Sequence, residues 1–128
     1  MTSPVQHKGL SAERWRRYPR SQQILMIANE MNRASKLFDE SDRERLRAAY
    51  ERVLALTDLT IQVAAKRSLR RELLRWRDLV ATQYIAPEPA ASAHGQIFRA
   101  LLQLDSEAWR QLPYVTGASG PPCAQRPA

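Results

Sequence analysis

Four glycines, one cysteine and two histidines leave this 128-residue chain without most of the devices that small proteins use for chemistry. Gly9, Gly95, Gly117 and Gly120 fall in no G-x-G or G-x-x-x-x-G-K setting, so no loop of the common phosphate-cradling kinds is present. The lone Cys123 excludes an intramolecular disulfide and any site of paired cysteine ligands, in keeping with a reducing compartment. His7 and His94 stand at no metal-ligand spacing from another donor, so neither a metal nor a cofactor is expected. Long apolar runs are missing as well. No segment approaches the roughly 20 apolar residues that span a bilayer, and the opening MTSPVQHKGL lacks the apolar core of a signal peptide, so the expectation is a cytoplasmic protein without a membrane partner.

Hydrophobic residues make up 44% of the chain and charged residues 26%, a balance that supports a folded domain with a core of its own. The charge is lopsided. Twenty Lys and Arg face 13 Asp and Glu, a net charge of +7, which points to a polyanionic partner. Seventeen of the 20 are arginine, whose planar fork suits phosphate and carboxylate.

Apolar spacing is helical throughout, and no sustained two-residue alternation marks a strand. The first long pattern runs from about Ser21 to Phe38 through Ile24, Ile27, Ala28, Met31, Ala34 and Ser35. A second starts at Ser41, which with Glu44 spells a capping box, and carries Leu46, Ala49, Tyr50, Val53, Leu56, Thr57, Thr60 and Ala64 on its inner face. A third runs from around Lys66 to Ile85 and buries Leu69, Leu73, Trp76, Val80 and Tyr84. Pro87 and Pro89 end it. A fourth spans about Ser92 to Leu104, and Ser106 can cap a short helix through Leu112 that Trp109 would pack down. Short connections favour antiparallel neighbours. The expected fold is all-α: an up-and-down bundle of three to four helices over residues 21–112, between a basic N-terminal arm (1–20) and a flexible Pro/Gly-rich tail (113–128). Whether the fourth helix closes the same bundle stays open.

Two stretches hold all the excess charge. Residues 1–20 carry five cations against one anion, and residues 66–78 carry six against two. In the first, Arg14, Arg16, Arg17 and Arg20 interleave with Trp15 and Tyr18, a composition suited to phosphate contacts and base stacking. The same aromatics could instead pin the arm to the bundle. In the second, Arg67, Arg71 and Arg75 recur every four residues opposite the buried stripe, with Arg70 on a flank; Glu72 and Asp78 are both within reach of Arg75. These eight arginines are the candidate nucleic-acid contacts. Ala48, Ala55 and Leu59 lie opposite the inner face of the second helix, and with Leu74 they form a candidate oligomer or partner interface. Asp39, Glu40, Asp42 and Glu44 crowd a helix start, where the helix dipole accounts for them without catalysis.

A small basic helical bundle led by Arg17-Tyr18-Pro19-Arg20-Ser21 resembles the family of accessory variability determinants of diversity-generating retroelements and of four-helix proteins encoded in 23S rRNA intervening sequences. That resemblance covers roughly the first 85 residues. It implies a four-helix protomer in a ring-like oligomer that binds nucleic acid and, in the retroelement case, a reverse transcriptase. The expectation is thus a non-enzymatic accessory protein that binds RNA or DNA mainly through phosphates and does so as an oligomer. The alternative is a protein–protein adaptor whose helical faces hold an acidic partner.

Overall fold

The computed structural model describes residues 11–105. His7, Trp109, Cys123, the short helix expected after Ser106 and the tail all lie outside them. Five α-helices follow in order: α1 (Ala12–Arg16), α2 (Arg20–Ala34), α3 (Arg43–Val63), α4 (Arg67–Ile85) and α5 (Ala91–Leu102). No strand occurs among the described residues. The four long helices pack antiparallel, with contacts between α2 and α3, α3 and α4, α4 and α5, and α5 and α2. Helix α5 therefore closes the bundle, the point that spacing alone left open. Helix α1 lies outside this ring and packs on α3.

The inner stripe of α3 is buried at every expected position, from Leu46 and Ala49 through Thr60 to Ala64. In α4, Leu73, Trp76 and Val80 are buried and Leu69 and Tyr84 half-buried, as a 100° step predicts. Each large apolar side chain removed from water in this way contributes about 1.5–3 kcal/mol, and this burial supplies most of the drive to fold. Trp15 joins the same core with no exposed surface, its indole N–H donating to Thr60 Oγ1 at 2.9 Å across 45 residues of chain. Ser11 caps α1 by accepting from the Arg14 N–H at 3.2 Å.

Three local expectations need correction. Helix α2 stops at Ala34 rather than Phe38: Ser35 is the exposed C-cap, and Leu37 and Phe38 pack half-buried from the connection. The capping box at Ser41 does not form. Asp39 acts instead, its Oδ2 accepting from both the backbone N–H and the hydroxyl of Ser41, which starts a 3-10 turn over Glu40–Asp42 and delays α3 to Arg43. Those two bonds hold the Asp39 carboxyl below its ordinary pKa. The aspartate wins because its ionised side chain can accept both bonds at once, whereas a serine hydroxyl offers a weaker acceptor. Helix α5 runs Ala91–Leu102, ending two residues before the expected Leu104.

Polar groups hold the core in register. His94, on α5, is 1% exposed and lies between Tyr50 of α3, whose hydroxyl is 2.7 Å from Nδ1, and the Met31 carbonyl of α2, 2.9 Å from Nε2. Gln83 donates to the Ala90 carbonyl and accepts from the Ala90 N–H, fixing the proline-bearing turn between α4 and α5. Trp76 donates to the Ile97 carbonyl at 2.7 Å.

Candidate nucleic-acid interface

Antiparallel packing collects the starts of α2 and α4 and the ends of α3 and α5 at one end of the bundle. Helix α1 leads into the same end. Pro19 ends the α1–α2 turn and begins α2 with extended backbone, and Lys66 begins α4 in the same way. Neither N-terminus has a side-chain cap bond or an acidic residue in its own first turn, so no carboxylate of either helix's first turn offsets its positive dipole end.

A groove of about 240 Å³ opens there, lined by Arg16, Arg20 and Gln23 from the α1–α2 segment, Val63, Ala64 and Ala65 from the end of α3, and Lys66 and Leu69 from the start of α4. The two basic stretches of the sequence thus converge on one concavity, though some 46 residues separate Arg20 from Lys66. Their states differ. Arg20 Nε donates to Asp105 Oδ2 at 2.8 Å, so its charge is partly matched, although its side chain stays 45% exposed. Arg16 and Lys66 are exposed and have no ion-pair partner among the described residues. Arg14 and Arg17 are exposed on the same segment.

Along α4, Arg67, Arg71 and Arg75 form the exposed row expected of them, leading away from the groove. Arg75 meets Glu72 at 3.3 Å; Asp78, the other carboxylate expected within its reach, makes no such pair. Arg70 turns toward α3 and donates to the Ala64 carbonyl at 3.1 Å, satisfying a group left over at that helix's end. It is partly committed to the fold. Arg77 does likewise through Asp58 of α3 at 2.6 Å, and that hydrogen bond raises its pKa.

The aromatics of the first basic stretch part company. Trp15 is a core residue, so base stacking on it is excluded. Tyr18 is 42% exposed, more than any other aromatic side chain among the described residues. Its ring meets Trp15 edge-on at 5.6 Å.

The candidate interface residues also differ in kind. Ala48, Ala55 and Leu59 are half-buried, with Leu59 packed against the protein's own core, while Leu74 is 47% exposed. Sequence reasoning missed Leu79 and Ile85, 48% and 74% exposed on α4. It also missed Gln23 of α2, which is buried and donates to the Trp15 and Tyr18 carbonyls at 2.9 and 3.0 Å.

Among the described residues no group of three or more His, Cys, Asp or Glu could hold a metal ion, and no helix is long and apolar enough to cross a membrane. No protein-family model, curated protein or solved structure matches this chain.

Proposed function

We propose that this protein binds nucleic acid without catalysis, through phosphate contacts at the groove end of the bundle and along the Arg67–Arg71–Arg75 row. The observation that carries this reading is the meeting of Arg16 and Arg20 with Lys66 in one groove at a pair of helix N-termini whose own first turns hold no acidic residue. Guanidinium and ammonium groups there match phosphate charge, and the released counterions make binding fall steeply with salt. Phosphate contacts position a strand but read little sequence, so weak sequence preference is expected.

The test is anisotropy of labelled RNA and DNA with purified, nuclease-treated protein across a salt series. Binding should weaken with a log–log slope of about −3 or steeper, and Arg16→Gln with Lys66→Gln should flatten that slope by about 1–2. Arg67→Gln, Arg71→Gln and Arg75→Gln together test the second row. Arg45→Gln, at the far end of the bundle, should change little. An unchanged slope in the groove variant removes the groove from the reading, and no binding at low salt removes the reading itself.

A second reading, association with a protein or with another copy of this chain, is favoured by the exposed Leu74, Leu79 and Ile85 on α4. Leu74→Asp is the cleaner probe, because Leu59→Glu would strike the core as well as any interface. Light scattering of the wild type and Leu74→Asp at micromolar concentration tests it. A monomeric wild type ends the self-association half of this reading.

A further inference from the structure

We propose that the groove and the Tyr18 ring together form a site for single-stranded nucleic acid, with phosphate held at the groove's cationic rim and an unstacked base laid on Tyr18; this rests on the reading above. Tyr18 is not itself a wall of the groove; it stands along the chain between Arg16 and Arg20, the two arginines that line the groove from this segment. Its backbone is fixed at both ends. The N–H donates to the Trp15 carbonyl at 3.1 Å, and the carbonyl accepts from Gln23 Nε2 at 3.0 Å, Gln23 being itself a buried wall of the groove. Pro19 follows with its backbone torsion set by the ring. The aromatic platform is therefore held before any ligand arrives, which lowers the entropy lost on binding.

Three features favour a single strand over other polyanions. A duplex keeps its base faces in the stack and offers a protein only phosphates, sugars and edges, so an exposed ring gains nothing from it; a single strand can lay a base on that ring. The groove walls mix Val63, Ala64 and Leu69 with the cations, so they suit a sugar or base edge beside its phosphate better than phosphate alone. At about 240 Å³ the groove is smaller than the roughly 300–1,000 Å³ of sites that enclose a whole small molecule, which fits one step of a polymer passing through.

The experiment compares labelled single-stranded RNA, single-stranded DNA, the matching duplexes and heparin, with wild type, Tyr18→Ala and Tyr18→Phe at one low salt concentration. The expected result is preference for single strands, a roughly 5- to 100-fold loss of single-strand affinity in Tyr18→Ala, near-wild-type binding in Tyr18→Phe, and no change toward duplex or heparin in any variant. Equal binding of single strand and duplex, or single-strand affinity untouched by Tyr18→Ala, overturns the site while leaving the phosphate-binding reading in place. Absence of binding to every polyanion overturns both. Photocrosslinking of a thiouridine-bearing single strand to wild-type protein gives a check that needs no variant: adducts should map to Tyr18, and adducts confined to other segments overturn the assignment.

Discussion

The hydroxyl of Tyr50 lies 2.7 Å from Nδ1 of His94, while the other ring nitrogen faces the Met31 carbonyl at 2.9 Å. A carbonyl can only accept, so Nε2 carries the proton and Nδ1 accepts from Tyr50. One side chain of α5 is thereby bonded to both α2 and α3.

Burial holds the His94 pKa below its ordinary value, with the Met31 bond offsetting part of that shift. The unfolded chain therefore takes up this proton first as pH falls. Stability from this group is complete above about pH 6.5 and declines below it, by up to about 1.4 kcal/mol per pH unit, until the folded-state pKa is reached. Urea unfolding between pH 8 and pH 5 measures this. His94→Gln should be less stable at neutral pH and lose that part of the slope; an unchanged slope would show that other groups set it.

Trp15→Ala should destabilise the protein by about 3–5 kcal/mol, because the side chain has no exposed surface and its removal leaves a cavity and takes from the Thr60 oxygen the indole donor it accepts from. Trp15→Phe should cost less, since it keeps much of the ring volume and loses the indole bond. Chemical denaturation of both variants ranks them. Equal, small effects would mean that α1 is not part of the cooperative unit.

Glu30 is buried at 5% exposure on α2 and meets two arginines, Arg52 of α3 at 2.9 Å and Arg33 at 3.0 Å. The two are not equivalent. Arg52 is 27% exposed and bridges helices, whereas Arg33 is 66% exposed and pairs within one helix. Arg52→Met should cost about 1–3 kcal/mol and Arg33→Met under about 1 kcal/mol, read from denaturation midpoints at constant salt. The reverse order would place the main support of Glu30 within α2.

Much of this architecture was legible from spacing. The buried stripes of α3 and α4 obey a rotation of 100° per residue, and Pro87 and Pro89 mark the turn into α5 because proline supplies no helix N–H. Polar residues of the interior were harder to find. Gln23, Gln83 and His94 bury themselves by matching backbone groups from other helices, and no periodicity carries that information. At the candidate site, spacing picked out the exposed row on α4 but could not show that Arg70 and Arg77 turn inward to serve α3, nor that the two basic stretches share a groove. Those facts depend on how the helices are stacked, which is settled by the core as a whole. The split between Trp15 and Tyr18 has the same origin: only one of two neighbouring aromatics reaches the gap beside Thr60.

The order of the long helices around the bundle repeats their order along the chain, and only the seam between α2 and α5 joins distant segments. Three seams can thus assemble by short-range loop closure, the inexpensive kind in entropy, while the fourth waits for the rest. Its fasteners stand well apart: Arg20 with Asp105 near one end of α2, and His94 with Met31 near the other. Helix α5 is therefore expected to act in kinetic terms as the latch, the last strut to dock and the first to lift, and amide exchange along it should report the opening of that seam ahead of global unfolding.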